Sequence, residues 1–105
     1  MSNASVIKRI RKTGEQVLPA GSSLWLYGSR ARGDYRPDSD WDLLVLIPKD
    51  KLELEDYNKF TYPLSLLGWE LNKTINPIMY TQKEWAERHF TPFYHNVEHD
   101  KVVLV

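Results

Sequence analysis

The chain has 105 residues, a length that suits one domain built around one hydrophobic core. Lysine plus arginine and aspartate plus glutamate number 14 each, and this zero net charge argues against broad nucleic-acid binding through a basic surface. The absence of cysteine excludes disulfides, thiolate metal sites and a cysteine nucleophile. No apolar run reaches membrane-spanning length and the first residues lack a secretory apolar core, so we expect a cytoplasmic protein without a membrane partner.

The first predicted element is an amphipathic helix. Its apolar residues recur at helical spacing and are Val6, Ile7, Ile10, Val17 and Leu18. The basic residues between them are Lys8, Arg9, Arg11 and Lys12. Alternating apolar and charged residues are typical of a solvated helix face, and contact with a phosphate polymer is the alternative. A turn over residues 19–23 ends the helix.

Two apolar strands follow this helix. Leu24–Tyr27 predict the first strand, which runs into a tight turn at Gly28 and Ser29 and then into a short helix. Residues 34–39 have the composition of a loop. Trp41–Ile47 are nearly all apolar and predict a central strand that is covered on both faces. Because the loop joins the turn to the second strand, we expect it to border a functional site.

Two carboxylates at a spacing of two stand where the second strand begins. Side chains alternate between the faces of a strand, so Asp40 and Asp42 project together while Trp41 points away from them into the core. Like charges on one face repel each other, and a divalent cation between them removes that repulsion. Carboxylate oxygens suit Mg²⁺, which also takes substrate phosphates. Gly28 lets the backbone approach such phosphates closely, and the amide groups that begin the next helix favour anions.

A helical stripe follows the second strand. Its apolar residues lie at spacings of three and four and are Tyr57, Phe60, Leu64 and Leu67. Pro63 should kink or split this helix, and Gly68 should end it. A crossover helix between two strands is typical of an α/β unit.

Residues 69–80 predict the next strand, with one buried and one polar face. The apolar odd positions are Trp69, Leu71, Ile75 and Met79. The polar even positions are Glu70, Asn72, Thr74 and Asn76. Pro77 cannot donate a hydrogen bond to a neighbouring strand, which indicates a sheet edge or a bulge.

The last quarter of the chain predicts two short helices and a final strand. Thr81 and Glu84 form a capping box for the first of these helices. Thr91 and Pro92 are a helix start, with an N-cap residue before a proline at the first helical position. Residues 101–105 predict a short strand or a β-like tail. The run from His95 to His99 matches the H-x-x-E-H pattern of some zinc peptidases, but too few residues follow it to supply a further ligand and a supporting domain, so we interpret it as helix surface.

The Gly-Ser turn and the acidic pair together resemble the signature of the DNA polymerase beta-like nucleotidyltransferase superfamily. In particular they resemble the small minimal nucleotidyltransferase domains of bacteria and archaea. The residues that carry the resemblance are Gly28-Ser29-Arg30-Ala31-Arg32-Gly33 and Ser39-Asp40-Trp41-Asp42-Leu43. The combined pattern is specific, whereas either half alone is weak. The resemblance covers most of the chain and implies one α/β (α+β) domain over residues 1–105, with helices packed against a small mixed β-sheet.

The resemblance also implies an activity. This family transfers a nucleoside monophosphate from a Mg²⁺-bound nucleoside triphosphate, here expected to be ATP, to an acceptor hydroxyl. Its Gly-Ser pair, matched by Gly28 and Ser29, holds the nucleotide phosphates. Its two aspartates, matched by Asp40 and Asp42, are catalytic and ligate Mg²⁺ in a site of one or two metal ions.

Three further residues near the signature are candidates for nucleotide binding. Guanidinium groups pair well with phosphate oxygens, so Arg30 and Arg32 are candidates for phosphate contacts. The alternative for both is solvent exposure or pairing with Asp34 or Asp38. Ser39 is expected to support the turn into the strand rather than to react.

The family's third carboxylate, which lies on a later strand, is replaced here. We expect Asn76 at that position, and an asparagine can ligate through its carbonyl oxygen but carries no charge and cannot act as a base. Glu70 lies six residues earlier, roughly 20 Å away along a strand at ~3.3 Å per residue, which is too far to substitute. The resemblance therefore leaves two interpretations: an active nucleotidyltransferase, or a weak or inactive nucleotidyltransferase-like module that masks a partner protein.

A partner protein is also implied by the resemblance. Minimal nucleotidyltransferases are commonly paired with a small all-helical protein of the HEPN class in toxin–antitoxin modules, where the transferase modifies or neutralises that partner. A chain of 105 residues has little room for a substrate domain of its own, which favours such a partner. Nucleic acid is not expected as a primary partner because the net charge is zero.

Overall fold

The structure is a computed structural model that describes residues 1–105. The α-helices are α1 (Asn3–Val17), α2 (Ser29–Arg32), α3 (Leu54–Asp56), α4 (Tyr62–Leu71), α5 (Gln82–Glu87) and α6 (Pro92–Asp100). The strands are β1 (Ser23–Tyr27), β2 (Trp41–Ile47), β3 (Ile75–Thr81) and β4 (Val102–Val103). A π-helical turn, Tyr57–Thr61, lies between α3 and α4. None of the helices combines the length and the apolar composition that crossing a membrane requires.

The four strands form one mixed sheet in the order β3-β2-β1-β4. β1 runs antiparallel to both β2 and β4, whereas β2 and β3 run parallel to each other. The small mixed sheet with helices packed against it is therefore confirmed. β3 lies at one edge of the sheet, as Pro77 predicts, and β4 at the other edge provides the short final strand.

The side chains of β2 alternate between two apolar layers. One face carries Trp41, Leu43, Val45 and Ile47. These side chains join the larger cluster, which α1 and α4 complete. Leu44 and Leu46 point to the opposite face, where Trp85 of α5 and Val97 of α6 cover them. The prediction of a central strand buried on both faces is confirmed. Asp42 lies on the same face as Leu44, near the start of the strand, and is half-buried.

The predicted amphipathic first helix is confirmed as α1, which buries Val6 and Ile10. Two of its basic side chains have partners within the chain. Arg9 forms an ion pair with Glu70 at 3.2 Å, and Arg11 donates a hydrogen bond to the Leu104 carbonyl at 3.0 Å. These contacts favour the structural interpretation of the basic residues over contact with a phosphate polymer.

The crossover segment is interrupted as predicted, but it ends later than predicted. α3, the π-helical turn and α4 follow one another without a break, and the π-helical turn interrupts the α-helical hydrogen-bond pattern just before Pro63, which has no N–H to donate. Gly68 does not end the helix, which continues to Leu71 and stops at Asn72, the residue with a left-handed φ of 56°. Gly68 instead serves packing, because a Cβ there would lie 2.8 Å from the Lys73 carbonyl oxygen.

The predicted start of the third strand is wrong, because α4 continues past Gly68 into the residues assigned to that strand. Residues 69–71 complete α4, and β3 begins only at Ile75. Trp69, predicted to be buried, has 86% of its surface exposed. Alternation over so few residues cannot distinguish the end of a helix from the start of a strand. Within β3 itself the alternation holds, since Ile75 and Met79 are buried and Asn76 is exposed.

The helix starts predicted in the last quarter are confirmed. The Thr81 hydroxyl accepts from the Glu84 amide at 3.0 Å, and Glu84 Oε1 accepts from the Thr81 amide at 2.8 Å, which together form the capping box. Thr91 caps α6, with Pro92 as its first residue. These caps fix where α5 and α6 begin, so that both helices lie over one face of the sheet.

Asp56 provides a test of how the segment after β2 is held. Its buried carboxylate accepts from Lys49 Nζ at 2.8 Å and from the Glu53 amide at 2.7 Å, and these two bonds lower its pKa. A carboxylate whose pKa is lowered by folding adds stability above its unfolded pKa of about 3.9. That contribution is lost as the pH falls through the lower folded pKa.

We therefore expect Asp56→Asn to lower the melting temperature at pH 7 and to have a diminishing effect as the pH falls below about 3.9. The measurement is thermal unfolding followed by circular dichroism between pH 2.5 and 7. Asp50→Asn, which changes an exposed carboxylate in the same loop, is the control and should have little effect at any pH. A deficit for Asp56→Asn that is the same at every pH would contradict the assignment.

Candidate functional site

The sequence-predicted site residues converge at one end of the sheet. β1 ends there, and β2 and β3 both begin there. The strand register places Tyr27 of β1 opposite Asp42, and Asp42 opposite Asn76 of β3. Gly28 and Ser29 follow directly from Tyr27 and lead into α2. The residues predicted from two separate motifs are therefore neighbours because adjacent strands carry them.

Asp40, Asp42 and Asn76 form the polar centre of this end. Asp40 is exposed, Asp42 is half-buried, and Asn76 Nδ2 donates a hydrogen bond to Asp40 Oδ2 at 2.9 Å. Asn76 thus stands beside both carboxylates. Glu70 is occupied elsewhere by its ion pair with Arg9. The charged part of the centre consists of two carboxylates.

The environment of Asp42 disfavours its negative charge. Partial burial is the main cause that raises its pKa, and the nearby charge of Asp40 adds to it. The hydrogen-bonding Asn76 amide and the charge of Arg32 act in the opposite direction without cancelling the rise. Tyr27 has a pKa raised to about 12 by burial first, then by the charge of Asp42 and by Tyr80. The phenol therefore stays neutral, and no cation within the chain fully balances the aspartate pair.

Gly28 brings the backbone of the turn directly against Asp42. Its φ of 75° and ψ of −160° lie in a region that residues with a Cβ avoid. A Cβ added to Gly28 would lie 2.6 Å from Asp42 Oδ2. Glycine is needed here both for its conformation and for the space it leaves beside the carboxylate. Ser29, the first residue of α2, is half-buried at the same point.

Arg30 is buried, and its guanidinium holds the loop that precedes Asp40. It donates to the carbonyl oxygens of Pro37 at 3.1 Å and Ser39 at 3.1 Å, with only 8% of the residue exposed. The guanidinium carbon also lies 4.5 Å from the ring centroids of both Tyr35 and Trp41. Neither alternative considered from the sequence, solvent exposure or pairing with an aspartate, describes this arrangement. The arginine's donors are directed at the loop.

Arg32 and Ser39 each contact a residue close to them in the sequence, and Arg32 also contacts one that is distant. Arg32 lies near Asp34 at 3.4 Å, as the alternative interpretation supposed, and near Asp100 of α6 at 3.3 Å. These bonds raise the pKa of Arg32, the one to Asp100 most. The Ser39 hydroxyl accepts from the Arg36 amide at 2.8 Å and thus supports the turn into β2, as expected.

The donor set at the sheet end fits a hard divalent cation. No cluster of three or more histidine, cysteine, aspartate or glutamate side chains exists in the chain, so a multi-ligand protein cage is absent. Mg²⁺ commonly binds through one or two carboxylates together with substrate phosphates, and Asp40 and Asp42 offer that number. The raised pKa of Asp42 shows that the chain leaves the charge of this pair partly uncompensated, and Asp40 is exposed to solvent.

The H-x-x-E-H run on α6 has no metal-site geometry. His99 bonds to the adjacent Asp100 at 2.9 Å and its side chain is 88% exposed. Glu98 instead accepts from Trp85 Nε1 at 2.8 Å and from Lys101 at 2.7 Å. The interpretation of this run as helix surface is confirmed, with Glu98 serving the contact between α5 and α6.

A cleft beside Asn76 was not predicted from the sequence. The cleft has a volume of about 470 Å³ and is formed where α4 ends and β3 begins. Trp69, Asn72 and Lys73 line it together with Asn76. The spacing of Tyr62, Leu66 and Trp69 is that of one helix face and could have placed Trp69 on α4 beside Asn76. The assignment of residue 69 to a strand excluded that interpretation.

Comparisons with known proteins agree with this geometry. The sequence profile of the nucleotidyltransferase domain family matches residues 7–97, so the chain belongs to that family. Among solved structures, a chain of a toxin–antitoxin complex crystallised with AMP-PNP has a TM-score of 0.62 and 18% identity over 99% of this chain and 73% of that one. A predicted nucleotidyltransferase from Sulfolobus solfataricus has a TM-score of 0.53 and 22% identity over 95% of this chain and 83% of that one. No curated protein sequence matches. At these identities the structural likenesses support the fold alone.

The contact between Gly28 and Asp42 yields a prediction that a double-mutant cycle can test. Gly28→Ala should destabilise the protein by the cost of its backbone conformation and by a further ~1–3 kcal/mol of overpacking against Asp42. In an Asp42→Ala background this further cost should vanish. Gly33→Ala is the control, because its φ is also positive, at 92°, but a Cβ there meets nothing within 4 Å. Urea unfolding measures all variants, and an equal penalty for Gly28→Ala with and without Asp42 would refute the contact.

The Arg30 clamp yields a second prediction. Arg30→Lys keeps the charge but loses the planar fork, so we expect it to cost about 1.5–3 kcal/mol in the free energy of unfolding. It should also speed amide hydrogen exchange in residues 34–40. The matched control is Arg32→Lys, whose half-exposed ion pairs should contribute about 0–1 kcal/mol. If both lysine variants leave exchange in the loop unchanged, Arg30 does not hold it.

Proposed function

We propose that this member of the nucleotidyltransferase family transfers a nucleoside monophosphate from a Mg²⁺-bound nucleoside triphosphate, with ATP the expected donor, to an acceptor hydroxyl. The observation that carries the proposal is the placement of Asp40 and Asp42 at the sheet end, with the backbone of the Gly28 turn packed directly against Asp42. Two acidic ligands next to a backbone turn without side-chain bulk suit a metal ion and the phosphates it binds.

Each residue at the sheet end has a proposed role. Asp40 and Asp42 would hold Mg²⁺, in a one-metal or two-metal site, and the ion would supply positive charge opposite the α-phosphate. Gly28 and Ser29 receive the outer phosphates. Arg32 lies close to that region, and its half-exposed guanidinium can exchange its carboxylate partners for phosphate oxygens.

Arg30 and Ser39 act at one remove from the nucleotide. Arg30 is committed to the loop carbonyls and positions Asp40 rather than contacting phosphate. Ser39 supports the turn that leads into Asp40. Both were predicted within the nucleotide-binding set, and we now propose that both are positioning residues.

The reaction forms one bond and breaks one. The acceptor oxygen bonds to the α-phosphorus as the bond between the α-phosphorus and the bridging oxygen of the β-phosphate breaks, and pyrophosphate leaves. Asn76 cannot take the acceptor's proton, because an amide has no basic site at neutral pH. The proton passes to water or to a group on the acceptor's own protein. The chain by itself is therefore expected to be a slow transferase.

The acceptor is proposed to lie on a partner protein, as in a toxin–antitoxin pair. The structural neighbour crystallised with AMP-PNP is part of a toxin–antitoxin complex, which supports both a nucleotide and a protein partner for the present chain. A small helical protein of the HEPN class is the expected partner.

A second candidate function rests on Asn76. A module that keeps the fold and the nucleotide pocket but lacks the third carboxylate would not transfer the nucleotide, and would act by masking its partner. The hydrogen bond from Asn76 to Asp40 favours this reading, because it satisfies one carboxylate without any cation.

The first experiment follows transfer of label from α-labelled ATP in the presence of Mg²⁺ or Mn²⁺, with host lysate as the source of acceptor. We expect transfer by the wild type and a loss on the order of 100-fold in Asp40→Asn and Asp42→Asn, because each removes charge that faces the α-phosphate. Asp38→Asn, an exposed carboxylate in the same loop, should transfer normally. Calorimetric ATP binding without any transfer would favour the masking module instead.

Asn76→Asp tests the replaced carboxylate. A third negative charge beside Asp40 and Asp42 should lower the melting temperature without metal, since like charges repel. Mg²⁺ should restore that melting temperature and raise the transfer rate about tenfold or more, as a group able to accept a proton is supplied. Asn58→Asp, at an exposed position outside both the aspartate pair and the cleft, is the matched control. A variant that is neither destabilised without Mg²⁺ nor faster with it would exclude Asn76 from the site.

A further inference from the structure

The geometry of the sheet end fixes the side from which an acceptor approaches. In an in-line displacement the attacking oxygen and the departing phosphate lie on opposite sides of the reacting phosphorus. Gly28 lies on the β1 side of Asp42, and Asn76 lies on the β3 side, each one strand away at about 4.8 Å. If the outer phosphates occupy the Gly28 side, the acceptor comes across β3, which is the free edge of the sheet.

A formed cleft lies on that side. It begins at Asn76 and extends to the end of α4, with a volume of about 470 Å³. This volume is enough for one amino-acid side chain with its neighbouring backbone, and too small to enclose a folded substrate. Gly68 gives the cleft its floor, because the absence of a side chain there lets α4 approach the backbone of Lys73.

An exposed apolar stripe on α4 leads out of the cleft. Tyr62, Leu66 and Trp69 lie at the i, i+4 and i+7 positions of one helix face and are 55%, 47% and 86% exposed. Trp69 belongs to both the stripe and the cleft lining. Aromatic residues are concentrated in the energetic centres of protein interfaces, and contiguous exposed apolar residues beside a reactive centre indicate a binding surface.

We infer that the α4 stripe binds the protein that carries the acceptor, and that the cleft beside Asn76 receives that protein's hydroxyl-bearing side chain. The inference rests on the proposed transferase function and adds the surface that selects its substrate. It makes Trp69 a specificity-determining residue rather than a catalytic one.

The chemistry of the surface defines the partner. Its contact region presents apolar side chains to the stripe, with a serine, threonine or tyrosine beside them. Lys73 is half-buried in the cleft lining and forms none of the chain's ion pairs, so a carboxylate next to the acceptor hydroxyl completes the match. An RNA end stacked on Trp69 is the competing occupant. The zero net charge, together with Tyr62 and Leu66 beside Trp69 on the stripe, favours a protein over RNA as the occupant.

The test combines labelling with site-specific crosslinking in host lysate. A photoreactive phenylalanine analogue replaces Leu66 in one variant and Phe90 in another, and α-labelled ATP with Mg²⁺ marks the acceptor. Phe90 is the control position because it is 75% exposed but lies outside both the stripe and the cleft. We expect the labelled acceptor to be a protein that crosslinks from position 66 and not from position 90.

Truncation of the stripe gives the quantitative result. Trp69→Ala should lower label transfer about tenfold or more, as loss of an interface tryptophan commonly does, while the calorimetric affinity for Mg²⁺-ATP stays unchanged. Phe90→Ala should leave both unchanged. Because Trp69 is almost wholly exposed, its removal leaves the core intact and the melting temperature serves as the check on folding.

The outcomes separate this inference from the proposed function. Transfer at the wild-type rate by Trp69→Ala overturns the acceptor surface and leaves the transferase function standing. Label that is sensitive to ribonuclease, or an acceptor that crosslinks equally from both positions, also overturns it. Wild-type protein that transfers no label to any acceptor removes the proposed function, and the acceptor surface falls with it.

Discussion

The guanidinium of Arg30 is the group on which the arrangement of the sheet end depends. A buried cation is costly unless its donors are satisfied, and here the donors are satisfied by the carbonyls of Pro37 and Ser39, by Asn3, and by two aromatic faces instead of a carboxylate. The chain from Gly33 to Asp40 has no regular structure of its own. By fixing the carbonyl immediately before Asp40, one side chain of α2 sets where the first carboxylate stands relative to the turn at Gly28. The loop and the turn are thereby made one rigid unit.

The second constraint is the register of three strands, which concentrates negative charge at one end of the sheet. Asp42 lies between Gly28 and Asn76, and its raised pKa records the cost of a carboxylate that is half-buried beside another. Within the chain this cost is offset only in part, by the amide of Asn76 and the charge of Arg32. This uncompensated negative charge favours the binding of a cation between the two carboxylates. The same repulsion explains why an uncharged asparagine, rather than a third carboxylate, is tolerated there without metal.

Asn76 stands between the two halves of the proposed activity. On one side are the carboxylates that would hold the metal, and on the other is the cleft that would hold the acceptor. An amide at this boundary can orient an incoming hydroxyl but cannot remove its proton. A chain built in this way would gain its rate and its specificity from the protein that docks on α4.

The sequence by itself determined the parts of the structure that local chemistry controls. The apolar run of β2, the capping box at Thr81 and the glycine and aspartate spacing of the signature each have a physical cause within a few residues, and the fold and the family follow from them. Only the tertiary structure decided where α4 ends, because Gly68 serves a contact with Lys73 rather than a helix stop. Only the tertiary structure assigned Arg30 to the loop and Trp69 to the surface, since the partners of both, or the lack of them, are set by packing between segments distant in sequence. The sequence encodes which groups can do chemistry, and the packing selects which of them remain free to do it.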